Sequence, residues 1–201
     1  EAPVIASHSS ARSLSQAVSR NLEDEVLLAI KANNGVVQTT AFASYLDRNK
    51  FSAHREVLNN LHSEISKTMG FELLSRRERF NMSEEDRAAY NEKFDELEKL
   101  AAPRLETEVY SIAPPVDVRD FVNHIDYLVS FMGINHVGIS SDFDGGGGIQ
   151  GWNSAAETYN ITIELVRRGY NEEQISALWS GNLLRVLDDV QQVSRELLAS
   201  N

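Results

Sequence analysis

The sequence predicts an α/β fold with parallel strands, and three observations carry that prediction. Short apolar runs rich in β-branched residues stand at positions 3–7, 36–42 and 136–143. Amphipathic helical stretches separate them, and no tight-turn signal joins one run to the next as a hairpin. The 201 residues, 42% hydrophobic and 24% charged, suffice for one domain with a sizeable core.

Each element has a local reason. Pro3-Val4-Ile5-Ala6-Ser7 reads as a buried strand ending at His8, followed by a polar loop over 9–19. Asn21 has the chemistry of an N-cap, with Glu23, Asp24 and Glu25 in the first turn of a helix that Asn34-Gly35 ends. Val36 to Phe42 forms the second strand. Residues from about 46 to 115 break the strand–helix rhythm and read as a charged helical insertion. Val57, Leu58, Leu61 and Ile65 share one helix face there. Ser83-Glu84-Glu85-Asp86 resembles a capping box that opens a second helix, with Tyr90, Phe94, Leu97 and Ala101 along one stripe. Such an insertion is either a solvated helical pair or a lid or partner surface. Asp117 caps a third helix with Val118, Phe121, Val122, Ile125, Leu128, Val129 and Met132 inward, stopped by Gly133. The third strand runs from His136 into Asp142-Phe143-Asp144 and four glycines. Helices follow at about 153–168, 171–179 and 181–199.

Composition excludes some functions. A net charge of -11 argues against a general nucleic-acid binder and against docking on an anionic membrane surface. The chain has no cysteine, so disulfides and thiolate metal sites are ruled out. Any metal must be held by His, Asp or Glu.

Two residues share a geometry suited to chemistry. His8 lies at the carboxyl end of the first strand and Asp142 at that of the third, and parallel α/β folds bind ligands at those ends. Imidazole supplies a nitrogen ligand for zinc, and a nearby carboxylate can accept a proton from water. Taken singly, His8 also fits a hydrogen-bonded structural role, and Asp-Phe-Asp-Gly also fits a turn. A calcium loop is a poor fit, because four glycines bring no side-chain oxygens.

The segments Ile5-Ala6-Ser7-His8-Ser9-Ser10-Ala11, Ser19-Arg20-Asn21-Leu22, His124-Ile125-Asp126, His136-Val137-Gly138-Ile139 running into Ser141-Asp142-Phe143-Asp144-Gly145, Arg167-Arg168-Gly169-Tyr170 and Gly181-Asn182-Leu183-Leu184-Arg185-Val186 resemble, in order, those of the membrane dipeptidase (renal dipeptidase) family of zinc peptidases. The resemblance implies the C-terminal portion of a (β/α)8 amidohydrolase-type barrel, its sixth to eighth strands, with the helical insertion at about 46–115. It implies hydrolysis of dipeptides at a two-zinc centre. His8 would be a zinc ligand, Arg20 would bind the substrate's carboxylate, and Asp142 would contact substrate and transfer the proton. Tyr45 and Phe42 would stand where the family places aromatic walls, although Phe42 fits core packing equally. His54, His62, His124 and His136 are poor ligand candidates, the last two lying away from the carboxyl ends of the strands.

The family's other zinc ligands, a His-x-Asp pair, a bridging glutamate and a further histidine, have no counterpart here. The chain also starts at Glu1-Ala2-Pro3-Val4 and runs straight into a strand. The expectation is therefore a portion of a larger protein whose missing N-terminal half completes the barrel. Alone, it would bind zinc weakly and hydrolyse nothing. The resemblance further implies a homodimer and an extracytoplasmic location. Two other functions compete: a related amidase or biosynthetic hydrolase on the same scaffold, and a non-catalytic interaction module built on the insertion.

Overall fold

A computed structural model describes residues 2–15 and 18–200, so residues 16 and 17 of the loop after the first strand lie outside the described residues. The chain divides into two compact units, one made of residues 1–49 and 116–201, the other of residues 50–115. In chain order the elements are β1 (Ile5–Ala6), α1 (Asp24–Ala32), β2 (Val36–Thr40), α2 (Ala43–Leu46), α3 (Arg48–Met69), α4 (Arg76–Phe80), α5 (Glu84–Ala101), α6 (Val118–Met132), β3 (Val137–Ser140), α7 (Tyr159–Arg167), α8 (Glu172–Ser176) and α9 (Asn182–Ala199). Among the described residues no helix is long and apolar enough to cross a membrane.

The first unit is built on a parallel three-stranded sheet in the order β1-β2-β3. Ile5 pairs with Val36, and Val37 with Val137, so the carboxyl ends of all three strands lie together. All five residues of β2 are buried, as befits a central strand. β1 departs from expectation: Val4 is 49% and Ile5 43% exposed, because β1 is an edge strand with nothing on its outer side among the described residues. Gly35 permits the approach of β1 to β2, since a Cβ there would stand 2.5 Å from the Val4 carbonyl oxygen. Asn33 then fastens that edge, accepting from the Val4 N–H at 2.7 Å and donating to the Ala2 carbonyl at 3.1 Å.

α6 follows the sequence reading. Asp117 closes a full capping box with Asp120, and Phe121, Val122, Ile125, Leu128 and Met132 are buried. α1 does not. Its N-cap position is Glu23, without a side-chain cap, and Asn21 is buried in tertiary hydrogen bonds instead. The helix expected from about residue 153 begins only at Tyr159. Side chains hold the preceding stretch as a turn: Glu157 accepts from the Asn153 N–H at 2.6 Å, and the Trp152 indole donates to Thr158 Oγ1 at 3.1 Å.

Polar side chains from the last helices clamp the unit. Arg168 donates to Asp126 at 2.5 Å and to Glu164 at 2.8 Å, while the Tyr170 hydroxyl donates to Asp126 at 2.8 Å. Asn182 donates from Nδ2 to the carbonyls of Ile134 and Val137, both at 2.7 Å. Glu164 is held down to about 2, chiefly by the hydrogen bonds from Arg167 and then by those from Arg168. A carboxyl lowered on folding contributes stability above its unfolded value of about 4.5 and loses it as pH falls toward about 2. Glu164→Gln is therefore expected to lower stability at neutral pH and to flatten the loss between those values, as read by chemical denaturation at stepped pH. An unchanged acid limb would remove Glu164 from the account.

The second unit has its own core of Leu61, Ile65, Leu97, Ala101 and Val109, with Val57 and Leu58 packed against it. Tyr90 is buried as expected. The capping at Ser83 is one-sided: Ser83 accepts from the Asp86 N–H at 3.1 Å, but the Asp86 carboxylate takes the Ser83 hydroxyl at 2.7 Å instead of the backbone. The reciprocal box lies earlier, between Ser75 and Glu78 at the start of α4. After α5 the chain tightens through Ala102–Arg104 and widens into a π-turn over Leu105–Tyr110, where Arg104 forks onto Glu108 at 2.7 and 2.6 Å.

Candidate functional site

The site forms where the carboxyl ends of the three strands release their loops. β1 hands the chain to Ser7 and His8, both exposed. His8 Nδ1 lies 2.7 Å from Ser7 Oγ, and its Nε2 lies 3.5 Å from Arg20 Nη2. A guanidinium only donates, so Nε2 carries the lone pair and Nδ1 the proton, given to the serine. That tautomer makes Nε2 the nitrogen that could ligate a metal, in place of its bond from Arg20.

The loop behind His8 is closed on itself. Leu22 N–H donates to the Ser10 carbonyl and Arg12 N–H to the Leu22 carbonyl, each at 2.9 Å. Arg12 reaches the carbonyls of Ser19 and Asn21, both at 2.9 Å, and pairs with Glu23. Arg20 is thus gripped on either side while its own side chain is exposed. Its guanidinium carbon stands 6.0 Å from the centre of the Tyr45 ring. Among the described residues no carboxylate pairs with it.

β2 supplies the aromatic side. Tyr45 stacks on Phe42 with ring centres 4.4 Å apart and planes 27° apart. β3 supplies Asp142, in the left-handed region at φ 54. The N–H groups of Gly145 and Gly147 both donate to its carbonyl, at 3.1 and 2.9 Å. Its carboxylate folds over Gly145, where a Cβ would come within 2.5 Å of Oδ1. The glycine run therefore makes room for the carboxylate. Phe42 and Gly148 pair as a parallel bridge, which ties this loop to the β2 loop. Phe143 turns onto Trp152, edge to face at 5.5 Å.

His8, Arg20 and Tyr45 are thus brought together. Asp142 sits on the neighbouring loop, and no hydrogen bond joins it to those three among the described residues. His124 corrects the reading that placed it away from the strands' carboxyl ends. Its Nδ1 accepts the Ala11 N–H at 3.2 Å, behind β1, and its Nε2–H donates to the Leu46 carbonyl at 2.9 Å, behind β2. Both nitrogens are used and burial pushes its pKa down, so it is a neutral strut, not a ligand. His136 donates from Nδ1 to the Gly35 carbonyl at 2.9 Å, near the opposite ends of the strands.

The sequence reading also missed Asn21, whose carboxamide bonds Ser10, Ser15 and Tyr45. Asn21 stood in the matched segment Ser19-Arg20-Asn21-Leu22, but an asparagine before acidic residues reads equally as a helix start. Among the described residues no group of three or more His, Asp or Glu side chains could hold a metal ion. His8 offers one ligand position, and the chain's described residues do not by themselves make a metal centre.

The family model for membrane dipeptidases (peptidase family M19) matches residues 1–201. The chain belongs to the membrane dipeptidase family. The probable dipeptidase PvdM from Pseudomonas aeruginosa is 35% identical in sequence with a TM-score of 0.63, over 95% of this chain and 46% of that one. Dipeptidase aclJ of Aspergillus oryzae is 26% identical over 98% of this chain and 32% of its own length. A metallo peptidase from Rhodobacter sphaeroides, at 19% identity and a TM-score of 0.59 over 94% of this chain and 37% of that one, shares the fold. This member of the membrane dipeptidase family therefore spans about a third of the length of aclJ and under half that of PvdM.

Proposed function

We propose that the chain supplies the carboxylate-binding and proton-handling side of a zinc dipeptidase, as the sixth to eighth strands of an eight-stranded barrel. The observation that carries the reading is the exposed Arg20 guanidinium, set beside the His8 imidazole at 3.5 Å and the Tyr45 ring at 6.0 Å. Its planar pair of donors fits a terminal carboxylate, and a cation so placed limits the enzyme to short substrates. His8 Nε2 would give one ligand to zinc, and the remaining ligands would come from residues outside this chain. The metal, when bound, polarises the scissile carbonyl and activates water. Asp142 accepts the proton and passes it to the leaving amine. An extracytoplasmic location and a homodimer belong to the same reading.

The test compares dipeptides carrying a free C-terminal carboxylate with their amides, using the full-length zinc enzyme. The free dipeptides are expected to be the better substrates. Arg20→Ala is expected to cost them about 10- to 100-fold in kcat/KM, mostly through KM, the size of a lost charge-assisted hydrogen bond. Equal hydrolysis of the amides would replace this reading with the amidase one. The 201-residue chain alone is expected to turn over nothing. Full turnover by it would refute the split site.

A further inference from the structure

We infer that Asn21 is a positioning residue for substrate-carboxylate recognition, fixing the loop that bears Arg20 against the short helix α2 that bears Tyr45. The inference rests on Arg20 as the carboxylate clamp. Asn21 is 1% exposed. Its Oδ1 accepts the Ser10 N–H at 3.0 Å. Its Nδ2 donates both protons, to Ser15 Oγ and to the Tyr45 carbonyl, each at 2.7 Å. Each polar atom of the carboxamide is therefore bonded, and the group joins the chain that leaves β1 to the chain that leaves β2.

The adjacency matters. Arg20 precedes Asn21 directly, and Arg12 holds the carbonyls on both sides of Arg20. Arg12 thus braces the main chain around Arg20, and Asn21 bolts it to the main chain of the residue whose ring faces the guanidinium. The Asn21 bond to the Tyr45 carbonyl is the tie nearest to the cation and ring, alongside the His124 bridge from Ala11 to Leu46. Bidentate recognition of a carboxylate tolerates little displacement of the guanidinium plane. Misplacement by about 1 Å can cost on the order of 100-fold. A buried asparagine with a purely structural role would lower stability and leave substrate choice alone.

The experiment measures the ratio of kcat/KM for a free-carboxylate dipeptide to that for its amide, in the full-length zinc enzyme. The ratio does not depend on the fraction of folded enzyme. Asn21→Asp keeps the acceptor facing Ser10 but turns the donor to the Tyr45 carbonyl into an acceptor. It is expected to lower the ratio about tenfold or more, with KM for the free dipeptide raised and kcat kept within a few-fold. Ser15→Ala removes one of the three partners and is expected to move the ratio the same way by a smaller factor. It carries the test if the aspartate variant does not fold. Adding Asn21→Asp to Arg20→Ala is expected to leave the ratio where Arg20→Ala puts it. A lowered Tm with the ratio unchanged in both Asn21 and Ser15 variants would overturn the positioning role. A wild-type ratio near one would instead overturn the Arg20 assignment on which it rests.

Discussion

Asp142→Asn in the full-length enzyme is expected to lower kcat by about 10²–10⁴-fold, the usual contribution of a positioned acid–base group, with KM little changed. Asparagine tolerates the left-handed conformation that Asp142 holds at φ 54, so the exchange removes the proton acceptor and keeps the backbone. It also keeps the side-chain volume that lies over Gly145. Thermal unfolding should match the wild type to within a few degrees, which separates lost chemistry from lost structure. A kcat within threefold of the wild type would show that the proton goes elsewhere.

His124→Phe is expected to cost the largest amount of stability of any change considered, about 2–6 kcal/mol. Phenylalanine fills the space but leaves the Ala11 N–H and the Leu46 carbonyl without partners, at about 1–3 kcal/mol for each buried group. The effect should depend on pH. A histidine whose pKa is lowered by burial contributes stability above its ordinary value of about 6.5, and that stability is lost as pH falls below it. The variant's deficit should be largest at pH 8 and shrink toward pH 5. Urea unfolding followed by far-ultraviolet circular dichroism reads both quantities. A deficit that does not change with pH would mean that the imidazole is not neutral in the folded chain.

Much of the fold could be read from local signals, because those signals act over a few residues. β-branched runs placed the three strands, and Asp117 placed the start of α6 to the residue. Burial of β1 could not be read that way. Val4 and Ile5 are apolar whether or not anything covers the outer edge, and coverage depends on chain far from them. Asn21 and His124 misled for a related reason. Their partners lie 11, 24, 78 and 113 residues away, and no local pattern encodes such pairings. At the site, His8, Arg20, Tyr45 and Asp142 could be named from motif and strand ends. Their geometry could not, since the main chain around Arg20 is held by tertiary hydrogen bonds of Arg12 and Asn21 that no local pattern shows. The short α4 and the widened turn at Leu105–Tyr110 also escaped, because one full capping box and one π-turn carry too little periodicity to register.

The contact of Phe143 with Trp152 gives the candidate loop an optical reporter. Both tryptophans of the chain, Trp152 and Trp179, belong to the first unit and stand edge to face at 6.0 Å. The Trp152 ring also meets Phe121 at 5.4 Å, so it is seated in the core while touching the residue next to Asp142. Selective tryptophan excitation therefore monitors the folded α/β unit without interference from Tyr90 and Tyr110 of the helical unit. Occupation of the loop by a substrate mimic should alter the near-ultraviolet dichroism of this aromatic cluster. Ligand engagement then becomes visible as a spectrum, in the absence of any turnover.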